Sequence, residues 1–154
     1  MRAMDSRTLA RLCREFAENK KAENVVVLDV RKLTQMTDYF VFATGSSVPH
    51  VRAIVDEITE KLRDVHHTRA RAVDGIISSS WIVIDYSDVI VHVMREETRQ
   101  HYDIEGLWSD APKVKPAPAS VPPALKEART STKTAKTAKP AKKKKPAVKK
   151  TPAK

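Results

Sequence analysis

The side chains of this 154-residue chain that could move protons or hold a metal are few and scattered. His92, Asp85, Asp88 and Asp38 are the first to weigh as an acid–base or metal set. A metal centre needs three or more ligands converging from fixed spacings, and His92 stands between Val91 and Val93 with no second histidine nearby. His66-His67 and His101 fall in loop and helix contexts that share nothing, and neither HxxxH nor CxxC occurs. Isolated aspartates beside turns are ordinarily turn formers or caps. Cys13 is the only cysteine, so the chain can form no internal disulfide. It lies among Leu9, Leu12 and Phe16 at helical spacing, the setting of a buried core thiol rather than a nucleophile.

Gly45-Ser46 followed by Asp56-Glu57 looks like the start of a nucleotidyltransferase signature, a Gly-Ser turn and then paired carboxylates. That chemistry needs two acids alternating on a strand so that both point at the same magnesium ions. Asp56 and Glu57 are consecutive on an amphipathic helix and therefore point about 100° apart. The expectation is a protein without catalysis, cofactor or metal, on at most the scaffold of such an enzyme.

The informative chemistry lies in a hairpin. Trp81-Ile82-Val83-Ile84 and Val89-Ile90-Val91-His92-Val93-Met94 read as strands flanking Asp85-Tyr86-Ser87-Asp88. With Tyr86-Ser87 as a two-residue loop, Asp85 faces Asp88, Val83 faces Ile90 and Trp81 faces His92. Alternation then puts Ile82, Ile84, Val89 and Val91 on one face, which must be core. The other face carries Trp81, Val83, Asp85, Asp88, Ile90 and His92. Aromatic and aliphatic groups ringed by charge are the usual makeup of a protein-binding patch. Two readings stay open: a face for a partner, or a face covered by a helix of the same domain.

The elements that position this hairpin follow from periodicity. Residues 6–20 place Leu9, Leu12, Cys13 and Phe16 on one helical stripe with Ser6 as N-cap. Residues 25–30 and 39–43 are β-rich. Ser46 or Ser47 then opens a helix with Pro49 in its first turn and Val51, Ile54, Val55, Ile58 and Leu62 inward. A weak strand at 69–73 precedes the hairpin, and a last helical stretch covers 95–109. The order predicts a mixed α/β fold, a mixed sheet packed by helices.

Net charge divides the chain near residue 110. Residues 1–110 hold 15 Lys+Arg against 18 Asp+Glu, a balance of −3. Residues 111–154 hold 14 Lys+Arg against Glu127 alone, a balance of +13, with eight of the nine prolines and no aromatic residue. The second segment is too poor in apolar groups to offset its ordering entropy and is expected to be a disordered tail. Its lysines, Lys142, Lys143, Lys144, Lys145, Lys149 and Lys150 among them, suit salt-sensitive contact with RNA phosphates; a merely solubilising extension is the alternative. No apolar run reaches the roughly 18 residues of a membrane span, and the N-terminus has no secretory h-region, so a cytoplasmic protein is expected.

Several blocks in order resemble the Iojap, or ribosomal silencing factor, family: Thr37-Asp38-Tyr39-Phe40-Val41-Phe42-Ala43-Thr44-Gly45-Ser46-Ser47, the helix starting Val48-Pro49-His50-Val51, the hairpin 81–94, and Glu96-Glu97-Thr98-Arg99 with Tyr102-Asp103-Ile104-Glu105-Gly106-Leu107-Trp108. Together they cover about residues 6–110. The resemblance implies a nucleotidyltransferase-like fold without catalysis. It also implies binding to the large ribosomal subunit at its universal large-subunit protein fourteen, blocking association with the small subunit and repressing translation. In organelle relatives it implies help with large-subunit assembly. Carried over by position, Trp81 is the anchor, flanked by Val83 and Ile90, with Asp85, Tyr86 and Asp88 meeting basic or polar groups and His92 hydrogen-bonding beside them. Asp38 and Tyr39 belong to the same blocks, with strand-start structure as their other reading. The sequence departs from the family at Ser87, where Gly is usual in the turn, and in Asp74-Gly75-Ile76-Ile77-Ser78, a loop usually more polar. An exposed apolar sheet face also leaves a homodimer off the ribosome open. The rival functions are a nucleic-acid binder acting through its tail and a nucleotidyltransferase-type enzyme.

Overall fold

A computed structural model describes residues 4–76 and 80–116. The expected tail lysines from Lys142 to Lys150 lie outside the described residues, as does the disorder expected of that segment.

Helix α1 (Ser6–Asn19) is capped one residue earlier than expected, because the Asp5 carboxylate, not Ser6, accepts from the Thr8 N–H at 3.2 Å. Its buried stripe is Leu9, Ala10, Cys13, Phe16 and Ala17. Strand β1 (Glu23–Asp29) carries a register irregularity between Glu23 and Val26, where Asn24 takes φ 47°. Strand β2 (Tyr39–Gly45) is buried along its whole length. Helix α2 (Val48–His66) starts on Ser47, whose hydroxyl accepts from the His50 N–H at 3.2 Å, and stops at His67 in the left-handed region. Val51, Ile54, Val55, Ile58 and Leu62 form its inward stripe, as the periodicity requires.

The short strand β3 (Ala72–Asp74) precedes β4 (Trp81–Asp85) and β5 (Val89–Arg95). The five strands run in the order β1-β2-β5-β4-β3, with β2 and β5 parallel and every other pair antiparallel. Helices α1 and α2 cover one face, closing a core with Val27, Tyr39, Val41, Ala43, Ile82, Ile84, Tyr86, Val89, Val91 and Val93. The mixed sheet packed by helices is the fold that the sequence predicts. Gly45 ends β2 under α2: a Cβ there would stand 2.7 Å from Val51 Cγ2 and 2.9 Å from the Val51 nitrogen. The Gly-Ser turn therefore has a packing reason of its own. Among the described residues no helix is long and apolar enough to cross a membrane.

After β5 the expected helix 95–109 is broken in two. Helix α3 (Glu96–Tyr102) and the single turn α4 (Ile104–Leu107) flank Asp103, which takes φ 40° and caps α4 by accepting from the Gly106 N–H. Aspartate tolerates that conformation because its side chain bonds locally. The break turns Ile104 and Trp108 down onto the second face of the sheet, where they meet Leu28, Val30, Phe40, Phe42, Met94 and Ala111. Arg99 fixes α3 in place. It pairs with Glu105 and donates to the Asn24 carbonyl at 2.8 Å and to Thr44 Oγ1 at 2.7 Å.

The ordered chain also continues past the compositional boundary at 110. Ala111 is buried, Asp29 N–H donates to the Pro112 carbonyl at 3.0 Å, and Val114 N–H donates to the Val27 carbonyl at 2.8 Å. Residues 111–114 thus pair along the outer edge of β1. Composition alone misses this, since it takes only a few backbone bonds and one alanine to seat the segment.

Candidate functional site

The hairpin folds with a register two residues away from the expected one. Asp85 lies opposite Ile90, Val83 opposite His92 and Trp81 opposite Met94. A shift of two keeps the parity, so the assignment of strand residues to faces survives. The loop is Ser87-Asp88, and Ser87 sits at φ 69° with the Asp88 N–H donating to the Tyr86 carbonyl at 2.9 Å. Ser87 takes the conformation that glycine would take more cheaply, and the Asp85 carboxylate supports it by accepting from the Ser87 N–H at 2.7 Å.

Trp81 is half-buried on the second face. Its Nε1–H donates to His92 Nδ1 at 3.1 Å, which leaves the proton of the neutral ring on Nε2. The imidazole is stacked 5.0 Å over Phe42 and is 8 % exposed. Burial among these rings pulls its pKa down to about 4, so it is a neutral hydrogen-bonding group at physiological pH. Tyr102, half out in solvent, packs against Trp81 with ring centroids 5.0 Å apart. Trp108 packs against Phe40 at 5.1 Å. An aromatic row thus runs across the face from Tyr102 through Trp81, His92 and Phe40 to Trp108.

The face is therefore partly covered by its own domain and partly open. Residues 104–111 cover its β1–β2 side. On the β5–β4 side Val83, Asp85 and Ile90 are half-buried with Trp81 beside them, and an open cleft of about 610 Å³ runs along Ser80, Trp81, Glu97, Thr98, His101 and Tyr102. One end of the hairpin is acidic. Asp38 and Asp88 meet there, because the Asp88 carbonyl accepts the N–H groups of Asp38 at 2.9 Å and Tyr39 at 3.1 Å.

Two residues of the expected site are elsewhere. Tyr86 continues the parity of Ile82 and Ile84, so its ring turns into the helix-covered core at 7 % exposure. There its hydroxyl has no hydrogen-bond partner among the described residues, and burial raises its pKa above the ordinary phenol value. Tyr39 is buried in that same core, with the Arg31 guanidinium 5.2 Å over its ring. Conversely, Tyr102 is missing from the expected site, although it stands at the open end of the aromatic row. Its signal was its place in a short polar helix immediately after the hairpin.

The carboxylates and histidine around the Gly-Ser turn are spread over separate contacts. His50 joins the start of α2 to the end of α1, with Nε2–H donating to the Lys20 carbonyl at 2.6 Å and Nδ1 accepting from the Ser46 N–H at 2.9 Å. Asp56 is exposed and Glu57 faces Lys20 at 3.9 Å. Among the described residues no group of three His, Cys, Asp or Glu side chains is arranged to hold a metal.

The comparisons with known proteins agree in direction. The family described as "Ribosomal silencing factor during starvation" matches residues 3–149. A ribosomal silencing factor of Halalkalibacterium halodurans is 33 % identical over 111 residues, 72 % of this chain and 94 % of that protein. The mouse protein named for mitochondrial assembly of the ribosomal large subunit is 28 % identical over 58 % of this chain and 40 % of its own length. A crystal structure of a Chromobacterium violaceum protein superposes with a TM-score of 0.67 at 31 % identity, covering 79 % of this chain and 99 % of that one.

Proposed function

Because this chain belongs to the ribosomal silencing factor family, we propose that it binds the large ribosomal subunit, blocks joining of the small subunit and so represses translation. The observation that carries this reading is the half-open face of β4 and β5, where Trp81, Val83 and Ile90 stand beside Asp85 in a folded part of slightly acidic balance. Such a face suits a protein partner that brings basic side chains to the rim and an apolar patch to the centre. The partner is the universal large-subunit protein fourteen. Trp81 supplies the anchor, already held by His92 and Tyr102, while Val83 and Ile90 flank it. Asp38, Asp85 and Asp88 form the acidic end, and Tyr39 and Tyr86 contribute by holding β2 and the turn from the core side. The action is occupancy of a surface, without catalysis, in the cytoplasm; a role in large-subunit assembly uses the same contact.

Sucrose-gradient sedimentation tests the proposal. The protein should travel with free large subunits and reduce joined ribosomes. Travelling with joined ribosomes, or with none, would refute it. Val83 is half-buried and belongs to neither core, so Val83→Arg should abolish co-sedimentation while the fold persists. Trp81→Ala should weaken binding by about 2 kcal/mol, as loss of an interface anchor does. A chain cut after residue 116, which keeps the segment paired to β1, should still bind; loss of binding would favour a nucleic-acid binder acting through its tail.

A further inference from the structure

The groove between α1 and the segment following Pro112 concentrates positive charge. Arg7, Arg11, Asp29, Arg31, Tyr39 and the run Pro112 to Pro116 line an open groove of about 530 Å³. Arg7 and Arg11 are one turn apart on α1 and so point the same way. Arg31 enters from the loop after β1, and Lys113 and Lys115 enter from the strand-edge segment. Against these five cations stands one carboxylate, Asp29, which is already committed to Arg31 at 2.6 Å.

Among the described residues, none of Arg7, Arg11, Lys113 and Lys115 has a carboxylate within ion-pair distance. Elsewhere the cations of α1 and its C-cap are answered, Arg14 by Glu18 and Lys20 by Glu57. Like charges one helical turn apart disfavour the helix that carries them by a few tenths of a kcal/mol, a cost that an anion between Arg7 and Arg11 would offset. It also runs against the balance of residues 1–110, which is −3. The concentration is therefore local rather than a general excess.

We propose that this groove is a binding site for the phosphodiester backbone of RNA. The lining has no open apolar pocket of the kind that anchors a peptide, since the Tyr39 ring is buried and faced by Arg31. Guanidinium groups on a rigid helix suit phosphate oxygens, which they meet with paired N–H donors. The chain leaves the groove at Pro116 into residues 117–154, where twelve Lys+Arg face one acid. One partner with a long run of negative charge accounts for both. The site lies apart from the β4–β5 face and does not depend on the docking proposed there.

The test measures full-length protein on a 20-nucleotide single-stranded RNA by fluorescence anisotropy at a series of salt concentrations. The variant R7Q/R11Q/K113Q removes three exposed cations of the groove, and K21Q/K61Q/R69Q removes three exposed cations elsewhere as a charge-matched control. Circular dichroism verifies that both are folded. Each lost phosphate contact lowers the slope of log affinity against log salt by about 0.7 for single strands. The groove variant should therefore lose about 2 in slope and bind at least about tenfold more weakly at low salt, with the control nearly unchanged. An unchanged slope, or an equal loss in the control, overturns the proposal. So does a groove variant that loses affinity for poly-glutamate while keeping it for RNA, which would assign the groove to an acidic protein. Loss of large-subunit binding by Val83→Arg with RNA binding intact separates this site from the docking face.

Discussion

Replacing His92 by asparagine should flatten the acid sensitivity of the fold. The imidazole lies among Phe40, Phe42 and Trp81 and accepts from the indole N–H, and burial lowers its pKa to about 4 from an ordinary 6.5. The folded state thus favours the neutral ring. Above about pH 6.5 the ring is neutral whether folded or not, and its full contribution is present. As pH falls below 6.5 the unfolded chain takes up a proton that the folded chain refuses, so stability declines until the folded ring titrates near pH 4. That separation of about 2.5 pH units, at about 1.4 kcal/mol each, makes the loss about 3.5 kcal/mol across the window. In His92→Asn the shorter side chain places an amide oxygen near the present Nδ1 position, preserving an acceptor for Trp81 without a titrating group. The variant should start less stable, having lost the ring stacked on Phe42, but its curve should be flatter. Urea unfolding followed by circular dichroism at intervals from pH 4 to 7.5 gives both curves. Parallel curves for the two proteins would refute the assignment of this pH dependence to His92.

Three further substitutions probe the geometry by the same unfolding assay. Gly45→Ala should destabilise by about 2 kcal/mol or more, because the new methyl meets the backbone of Val51, which cannot step aside as a side chain can. Ser87→Gly should stabilise by roughly 0.5–1 kcal/mol, since glycine relieves the positive φ of the turn while the N–H to Asp85 remains. Arg99→Lys should cost about 2 kcal/mol, because one compact ammonium cannot span Glu105 on one side and Thr44 and the Asn24 carbonyl on the other as the guanidinium fork does; amide exchange in α3 should rise with it.

The layers were legible because each rests on a local period. The stripe from Val51 to Leu62 and the alternation of Ile82 and Ile84 needed nothing beyond side-chain spacing. The hairpin register was not legible, because it depends on which two residues form the turn, Tyr86-Ser87 or Ser87-Asp88, and the pattern of apolar residues is the same either way. The partition of faces survived that error, and with it Trp81, Val83, Ile90 and His92. Tyr86 was misplaced because a residue counted as loop still obeys the strand parity of Ile82 and Ile84. The break at Asp103 left only a faint trace, an aspartate fit to cap a new turn with Gly106 three residues on; tertiary packing of Ile104 and Trp108 decides it.

The short run from Ala111 to Val114 has a consequence for solubility. A strand at the margin of a sheet offers a row of unused backbone groups to any other strand, and β1, with Val25, Val26 and Val27, would be an adhesive margin. The run occupies two of those positions through Asp29 and Val27 and closes the margin with proline and lysine. Proteins ended at the compositional boundary near 110 would leave this margin bare, and their self-association would be an artefact of the cut. Proteolysis before Ala111 would bare the same margin, whereas a cut after Pro116 would leave it closed.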